Sequence, residues 1–340
     1  MPHPISKGCM KAIVSRSAGG PHDLVFADMP APSAGPGQVV IKVHACGVNY
    51  PDALIIADQY QYRPERPFSP GAEVAGEIVA LGPDVQQLAV GDRVIAMLKW
   101  GGMAEQAVAE ATYCIKMPPA MPYEDGAAFI IGFGTSYHAL KQRGMLNPGE
   151  TLLVLGASGG VGLAAVELGK AMGARVIAAV SSEEKLQIAL NHGADRGVVY
   201  PRKIADPKGL STMLKEACGP GGADIIYDAV GGQYSEAALR AMAWKGRFLV
   251  IGFPAGVPRI ALNLPLLKGC SVIGVFYGAF AEREPEASGQ NNEELMDMYR
   301  AGLIRPQIHA RFSLYQAGDA IAMIMSRTAS GKIVVVVSET

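Results

Sequence analysis

Short apolar runs alternate with amphipathic stretches through the middle of the chain. The runs Leu152–Leu155, Val176–Val180, Gly197–Val199, Asp224–Tyr227, Phe248–Ile251 and Val272–Val275 have the length of strands buried on both faces. Between them, Val161, Ala165, Leu168 and Met172 recur at helical spacing, and Glu183–His192, Leu210–Ala217 and Ser235–Ala243 read as further helices. Strands separated by helical crossovers predict an α/β fold: a doubly wound, parallel six-stranded Rossmann sheet. Its first turn is Gly156-Ala157-Ser158-Gly159-Gly160-Val161-Gly162. A right-handed crossover places that turn at the carboxyl edge of the sheet. There a Cβ would keep a pyrophosphate from the backbone N–H groups and the positive end of the helix. A glycine turn that only allows close helix packing is the alternative; the strand before it and the helix and strand after it favour dinucleotide binding.

From Met10 to about Met117 the texture differs. MKAIVSR, QVVIKVHACGV, AGEIVALG, DRVIAM and AEQAVAEATYCIKM are strand-like and are punctuated by PGPGQ, LGPDV and VGDRV. This spacing predicts a small, mainly β, barrel-like domain. EDGAAFIIGFGTSYHALKQRG reads as helices crossing into the second domain, and EREPEASGQNN after Phe280 as polar helix and loop. Glu293–Ala301 and Gln316–Ser326 are expected as helices, and Lys332–Val337 as a last strand returning to the first domain.

The length of 340 residues accommodates about two domains, and 49% hydrophobic against 18% charged residues supports large cores. Lys and Arg number 30 against 31 Asp and Glu, so no basic field is available for nucleic acid or an anionic membrane. No apolar run approaches the roughly 20 residues of a membrane span, and the first ten residues lack a signal-peptide core, so a cytoplasmic location is expected. The five cysteines are odd in number and form no CxxC pair, which predicts scattered thiols rather than disulfides or structural zinc.

Seven segments, in order, carry a family resemblance: GPGQVVIKVHACGVNYPD (35–52), PGAEVAGEIVALG (70–82), VGDRV (90–94), GTSYHAL (134–140), PGETLLVLGASGGVG (148–162), GADIIYDAVGG (222–232) and SGKIVVVV (330–337). The chain resembles the medium-chain dehydrogenase/reductase superfamily, and within it the zinc-free quinone oxidoreductase, zeta-crystallin-like, branch. The resemblance implies a GroES-like catalytic domain from residues 1–128 and 281–340 and a cofactor domain from 129–280, with the active site in the cleft between them. In zinc-dependent relatives a cysteine and a histidine hold the catalytic metal. Here Asn49 and Ala72 stand in those places and the four-cysteine lobe is missing, so no metal is expected. Glu73 survives alone, and Cys46 reads as a packed apolar residue.

Hydride addition to a quinone or enone needs orientation, a dry site and a donor for the developing oxyanion. Asn49 and Tyr50 lie in the loop that approaches the nicotinamide in the family, and Tyr60 follows in the same loop. Asn49 is the candidate donor, and Tyr60 a candidate to stack or donate. Their plainer readings are a turn asparagine and a surface tyrosine. Asp52 reads as a helix cap, and His44 and His138 as core histidines rather than proton relays.

For the cofactor, an acid at the end of the second strand marks NAD; in the register the resemblance implies, that place is Val180, followed by Ser181 and Ser182. Ser182 can donate to a 2′-phosphate and Lys185 can reach it, although Lys185 also reads as a solvated helix lysine. The resemblance adds Tyr200 and Arg327 to the 2′-phosphate side. It also implies cofactor contacts from Thr135, Gly252, Phe253, Phe276 and Lys332, beside Ser158, Gly159, Gly160 and Val161 of the turn. NADPH is therefore the expected cofactor. Three functions remain open: NADPH:quinone oxidoreductase, reductase of activated C=C bonds such as enones or enoyl thioesters, and a non-catalytic NADPH-binding sensor. Ser271–Phe276, as the last strand of the sheet, presents an apolar edge, and in related enzymes it pairs with its copy, so a homodimer is expected.

Overall fold

Six strands pair in parallel in the spatial order Arg196–Val199, Arg175–Val180, Thr151–Leu155, Ala223–Asp228, Met242–Val250 and Ser271–Gly274. The chain enters at the sheet centre, winds to one edge, returns and winds to the other. The order therefore reverses between Thr151–Leu155 and Ala223–Asp228, the point at which doubly wound sheets take their ligands. Thr151–Leu155 is buried at every position because helices cover both faces. Leu153, Ile177, Ile226 and Phe248 of the sheet pack with Leu210, Leu214 and Leu239 of its helices in one core.

These strands belong to the computed structural model, which describes residues 8–338. It divides into two units: Gly132–Arg305, and the residues up to Ile131 together with those from Pro306 onward. The second crossing thus falls at 305, where the sequence reading put it at 281. EREPEASGQNN, expected as polar helix and loop, closes the helix Tyr277–Arg283 and opens the helix Pro285–Arg300, with proline at the start, where its missing N–H costs nothing. That helix is tied within Gly132–Arg305: Tyr137 Oη and Lys141 Nζ each donate to Glu294 at 2.5 Å, and Gln142 Nε2 donates to Asn291 at 2.9 Å. A second difference concerns Ser235–Ala243, expected as a helix. The helix is Gly232–Leu239, and Met242 already pairs with Ala223 in the sheet. Alanine-rich sequence favours helix, but burying Met242 between strands and helices outweighs that weak preference.

The other unit holds a seven-stranded, mostly antiparallel sheet. Its path runs Ile308–Ser313, Lys332–Val336, Gln38–Val48, Glu73–Leu81, Arg93–Met97 and Cys114–Lys116, with Gln106–Glu110 also on Gln38–Val48. A separate pair, Cys9–Val14 and Val25–Pro30, lies beside it in sequence. Val25–Pro30 and Ile308–Ser313 are strands the sequence reading lacked. In Ile308–Ser313 half-buried and exposed positions alternate strictly, the two-residue period of a strand with one covered face. Ile41, Val43, Val48, Val74, Ile78, Ile333 and Val335 form the core of this sheet.

The glycine turn is sterically closed. Gly156 has φ of +70°, and a Cβ on Gly162 would lie 2.1 Å from the Gly156 carbonyl oxygen. A Cβ on Gly159 would meet that oxygen at an ordinary 3.5 Å. Gly162→Ala is therefore expected to destabilise the fold by about 1–3 kcal/mol in denaturant unfolding without cofactor, and Gly159→Ala to leave it nearly unchanged. Equal stability of the two variants would contradict the close approach.

Candidate active site and cofactor site

Three strands deliver one buried polar cluster. Gln38–Val48 ends at Asn49, which begins the helix Tyr50–Ile56. Glu73 opens the next strand and pairs with Gly47, while Lys332 opens the last, whose Ile333 pairs with Val48. These registers bring together side chains far apart in sequence. Lys332 Nζ donates to Asn49 Oδ1 at 2.6 Å and to Glu73 Oε2 at 2.7 Å. Asn49 Nδ2 donates to Glu73 Oε2 at 3.1 Å and to the Gly47 carbonyl at 3.3 Å. Glu73 Oε1 accepts the Ile131 N–H at 2.9 Å. Gly47 leaves the room required, since a Cβ there would lie 2.8 Å from Glu73 Oε2 and 1.9 Å from the Ala127 carbonyl oxygen.

The cluster changes what Asn49 can do. Both amide hydrogens have acceptors inside the protein, and Oδ1 is held by the ammonium. Asn49 neither idles in a turn nor offers a spare donor. Lys332, which sequence reasoning assigned to the cofactor, and Glu73, which it left without a role, are the cluster's charged pair. The signal for them was weak: a single carboxylate in PGAEVAG and a single lysine in SGKIVVVV, 259 positions apart. Among the described residues, no group of three or more His, Cys, Asp or Glu is arranged to hold a metal ion.

Around the cluster, Tyr50 is half-buried in the first helical turn. Tyr60 packs against the core with its ring edge-on to Tyr62 at 5.7 Å, and burial raises its hydroxyl pKa, with Tyr62 and Asp52 adding to the shift. It is thus no free surface side chain. Cys46 is fully buried, and burial pushes its thiol well up. His44 stacks on Tyr123 at 4.1 Å and His138 on Phe280 at 3.8 Å; burial is the main cause lowering both pKa values.

Asp52 is not the first residue of its helix but the third, and it caps from there. Its Oδ2 accepts the Asn49 N–H at 2.7 Å and its Oδ1 the Gly71 N–H at 3.1 Å. Burial raises its pKa to about 6 despite these bonds and the Lys332 charge. A carboxyl raised in the fold stabilises it fully below the unfolded value and loses that contribution as pH rises through the folded one. Between pH ~4 and ~6 the native protein should therefore lose up to about 3 kcal/mol that Asp52→Asn does not lose. Denaturant unfolding of both proteins across that range checks this; parallel pH profiles would contradict it.

In Gly132–Arg305, the helix Gly160–Ala171 starts behind Gly159 with no side chain capping it. Its first N–H groups are left to an anion, as a pyrophosphate requires. Ser158 is buried, and Gly159, Gly160 and Val161 are partly open. Ser136 fixes the helix start by donating to the Val161 carbonyl at 2.8 Å and sharing a 2.8 Å bond with Tyr227 Oη. Thr135, one residue before, is half-buried. At the end of the second strand, Ser182 caps the next helix, its Oγ accepting the Lys185 N–H at 3.3 Å. The hydroxyl hydrogen remains free to donate. Lys185 is half-buried; burial first, then the Arg202 charge, lowers its ammonium pKa. Arg202 is a residue the sequence reading missed. It lies two positions after Tyr200, in a stretch with no distinctive pattern.

Tyr200 itself is buried, its ring 4.9 Å from that of Tyr234. Gly252 is partly open, whereas Phe253 and Phe276 are exposed. Arg327 closes the helix Ala317–Ser326 in a left-handed conformation, φ +56°, on the unit that carries Lys332. The structure thus joins Ser182 to Lys185 by capping, with the Arg202 charge felt at Lys185, and joins Asn49, Glu73 and Lys332 by hydrogen bonds. The two groups lie on different units. No helix among the described residues is long and apolar enough to cross a membrane.

Residues 35–119 match the alcohol dehydrogenase GroES-like domain, and 160–290 match the zinc-binding dehydrogenase family. The quinone oxidoreductase-like protein 2 homolog of Nematostella vectensis is 36% identical over 98% of this chain and 90% of its own length. The quinone oxidoreductase of Homo sapiens is 32% identical over 96% and 97%. Among solved structures, mycobacterial Rv1454c complexed with NADPH superposes with a TM-score of 0.89 at 30% identity, covering 96% of this chain and 100% of that one.

Proposed function

The chain belongs to the quinone oxidoreductase family of medium-chain dehydrogenases/reductases, and from that premise we propose that it uses NADPH to reduce a quinone or a similar electron-poor acceptor without a metal. The observation that carries the cofactor choice is the end of the second strand. Val180 stands where an acid would repel a 2′-phosphate, and Ser182, Lys185 and Arg202 gather a hydroxyl donor and two cations there. The complex of Rv1454c with NADPH supports the same choice. The uncapped start of Gly160–Ala171 and the closed glycine turn suit the pyrophosphate.

Bound NADPH supplies a hydride. A quinone takes it at a ring carbon, the π pair moves to a carbonyl oxygen that a proton from water neutralises, and loss of the ring-carbon proton with protonation of the second oxygen completes the hydroquinone. The protein's work is to orient the partners, exclude water and place a hydrogen-bond donor at that oxygen. At the two places where zinc-dependent relatives present ligands this chain has Asn49 and Ala72, and the Lys332 ammonium supplies the positive charge beside Glu73. An acceptor that delocalises its own charge, as quinones do, needs less help than a simple ketone.

One charge-assisted hydrogen bond to the 2′-phosphate is worth about 1.5–3 kcal/mol, or roughly 10- to 150-fold in affinity. Lys185→Ala should therefore raise KM for NADPH within that range and barely alter that for NADH. Arg327→Ala should do the same if the family's 2′-phosphate contact holds here. Because the phosphate is remote from the reacting carbon, kcat should move less. Steady-state kinetics with a simple quinone check this; equal use of NADH and NADPH by the native protein would contradict it.

We further propose a homodimer. Ser271–Gly274 is an edge strand with Val272 exposed, and Leu262 and Leu266 beside it in sequence are 81% and 78% exposed. An apolar edge of this kind is a liability unless covered, and a two-fold pairing of the sheets covers it. Light scattering at micromolar concentration should give twice the monomer mass; a monomer would contradict the pairing.

A further inference from the structure

The Lys332 ammonium carries three hydrogens. Two are spent on Asn49 Oδ1 and Glu73 Oε2, and the third has no protein acceptor among the described residues. Asn49 Nδ2 has two hydrogens and two acceptors, so its donors are used up. Glu73 is fully buried, whereas Asn49 and Lys332 keep 7% and 6% exposure. Glu73 is thus the most enclosed of the three, and Asn49 and Lys332 keep the small remaining exposure of the cluster. A buried charged donor with a spare hydrogen demands an acceptor. Resting on the acceptor chemistry proposed above, we propose that Lys332 donates the hydrogen bond to the acceptor's carbonyl oxygen, with Glu73 and Asn49 as positioning residues that hold its ammonium.

The arrangement suits that task. Glu73 balances the ammonium, so the resting site carries no isolated buried charge. Asn49 Oδ1 fixes the Nζ position from a second direction, and Asn49 is itself fixed by Asp52 through its backbone N–H. A donor held from two sides needs little reorganisation when charge develops on the oxygen. The hydride adds to carbon, the displaced π pair collects on the oxygen, and the Lys332 N–H⁺ stabilises it. No proton need leave the lysine.

The test compares Glu73→Gln, which keeps the ammonium, with the double variant Lys332→Met/Glu73→Gln, which removes both charges and leaves no orphaned carboxylate. Kinetics with NADPH and a simple quinone should show kcat of the double variant lower than that of Glu73→Gln by on the order of 100-fold, with KM for NADPH similar. A binding readout independent of turnover uses 4-nitrophenol, whose phenolate oxygen resembles the developing oxyanion and absorbs visibly. In the native protein and Glu73→Gln the bound phenol should ionise at lower pH than in solution, and in the double variant that displacement should vanish. If the native protein turns over no quinone or enone yet displaces the phenol, the assigned reaction fails while Lys332 stands as the oxyanion donor. Equal kcat in the two variants would overturn the proposal. So would a raised KM for NADPH at unchanged kcat, which would place Lys332 on the cofactor, or a phenol midpoint indifferent to Lys332. Should the double variant fail to fold, Lys332→Gln/Glu73→Gln, which keeps polar side chains at both places and removes both charges, carries the phenol measurement; a midpoint there equal to that of the native protein would equally overturn the proposal.

Discussion

Glu73 has no exposed surface, and a carboxylate in that position must be neutralised inside the protein. An unpaired buried charge costs several kcal/mol, more than a typical single contact returns. Lys332 provides the counter-charge, Asn49 and the Ile131 N–H fill the remaining acceptor sites, and the glycine at 47 keeps the space open. Satisfying one carboxylate therefore fixes the register of three strands, because Gly47 must face Glu73 and Val48 must face Ile333. The same requirement orients Asn49 inward. The features that make the cluster stable also decide which of its hydrogens remain without a protein acceptor.

The dinucleotide unit rests on a different constraint, the closeness of a helix start to a strand end. Gly162 allows it sterically, and Ser136 and Tyr227 brace it from the facing helix and strand. Asp228, at the neighbouring strand end, accepts N–H bonds from Val230 and Gly231 and the Ser235 hydroxyl, although burial raises its pKa. Backbone donors are thus spoken for on one side of the reversal point and left open on the other, at the start of Gly160–Ala171.

Much of this was legible in the residues, for identifiable reasons. Strands buried on both faces appear as unbroken apolar runs, so all six strands of the parallel sheet were visible from Leu152 to Val275. The positions of Ser182 and Lys185 at the start of the next helix were legible because they are defined relative to one strand end. What escaped was set by distant partners. Glu73, Asn49 and Lys332 carry no local pattern that links them; only strand pairing joins them. Arg202 sits in a polar stretch, and its position beside Lys185 depends on how that stretch returns over the sheet. Pro285 stands in a first turn, where proline is well tolerated, and the polar stretch around it continues as helix. Met242 lay in a helix-forming run, and only the pairing with Ala223 made it a strand.

NADPH-dependent reduction of a quinone by residues alone is the central claim, and the stoichiometry of a single reaction tests it most directly. Chelator-treated protein, mixed anaerobically with NADPH and a limiting amount of a simple quinone, should oxidise one NADPH for each quinone reduced, at the rate of untreated protein and far faster than with NADH. No NADPH oxidation by any quinone or enone, or a rate lost on chelation and restored by zinc, would contradict it.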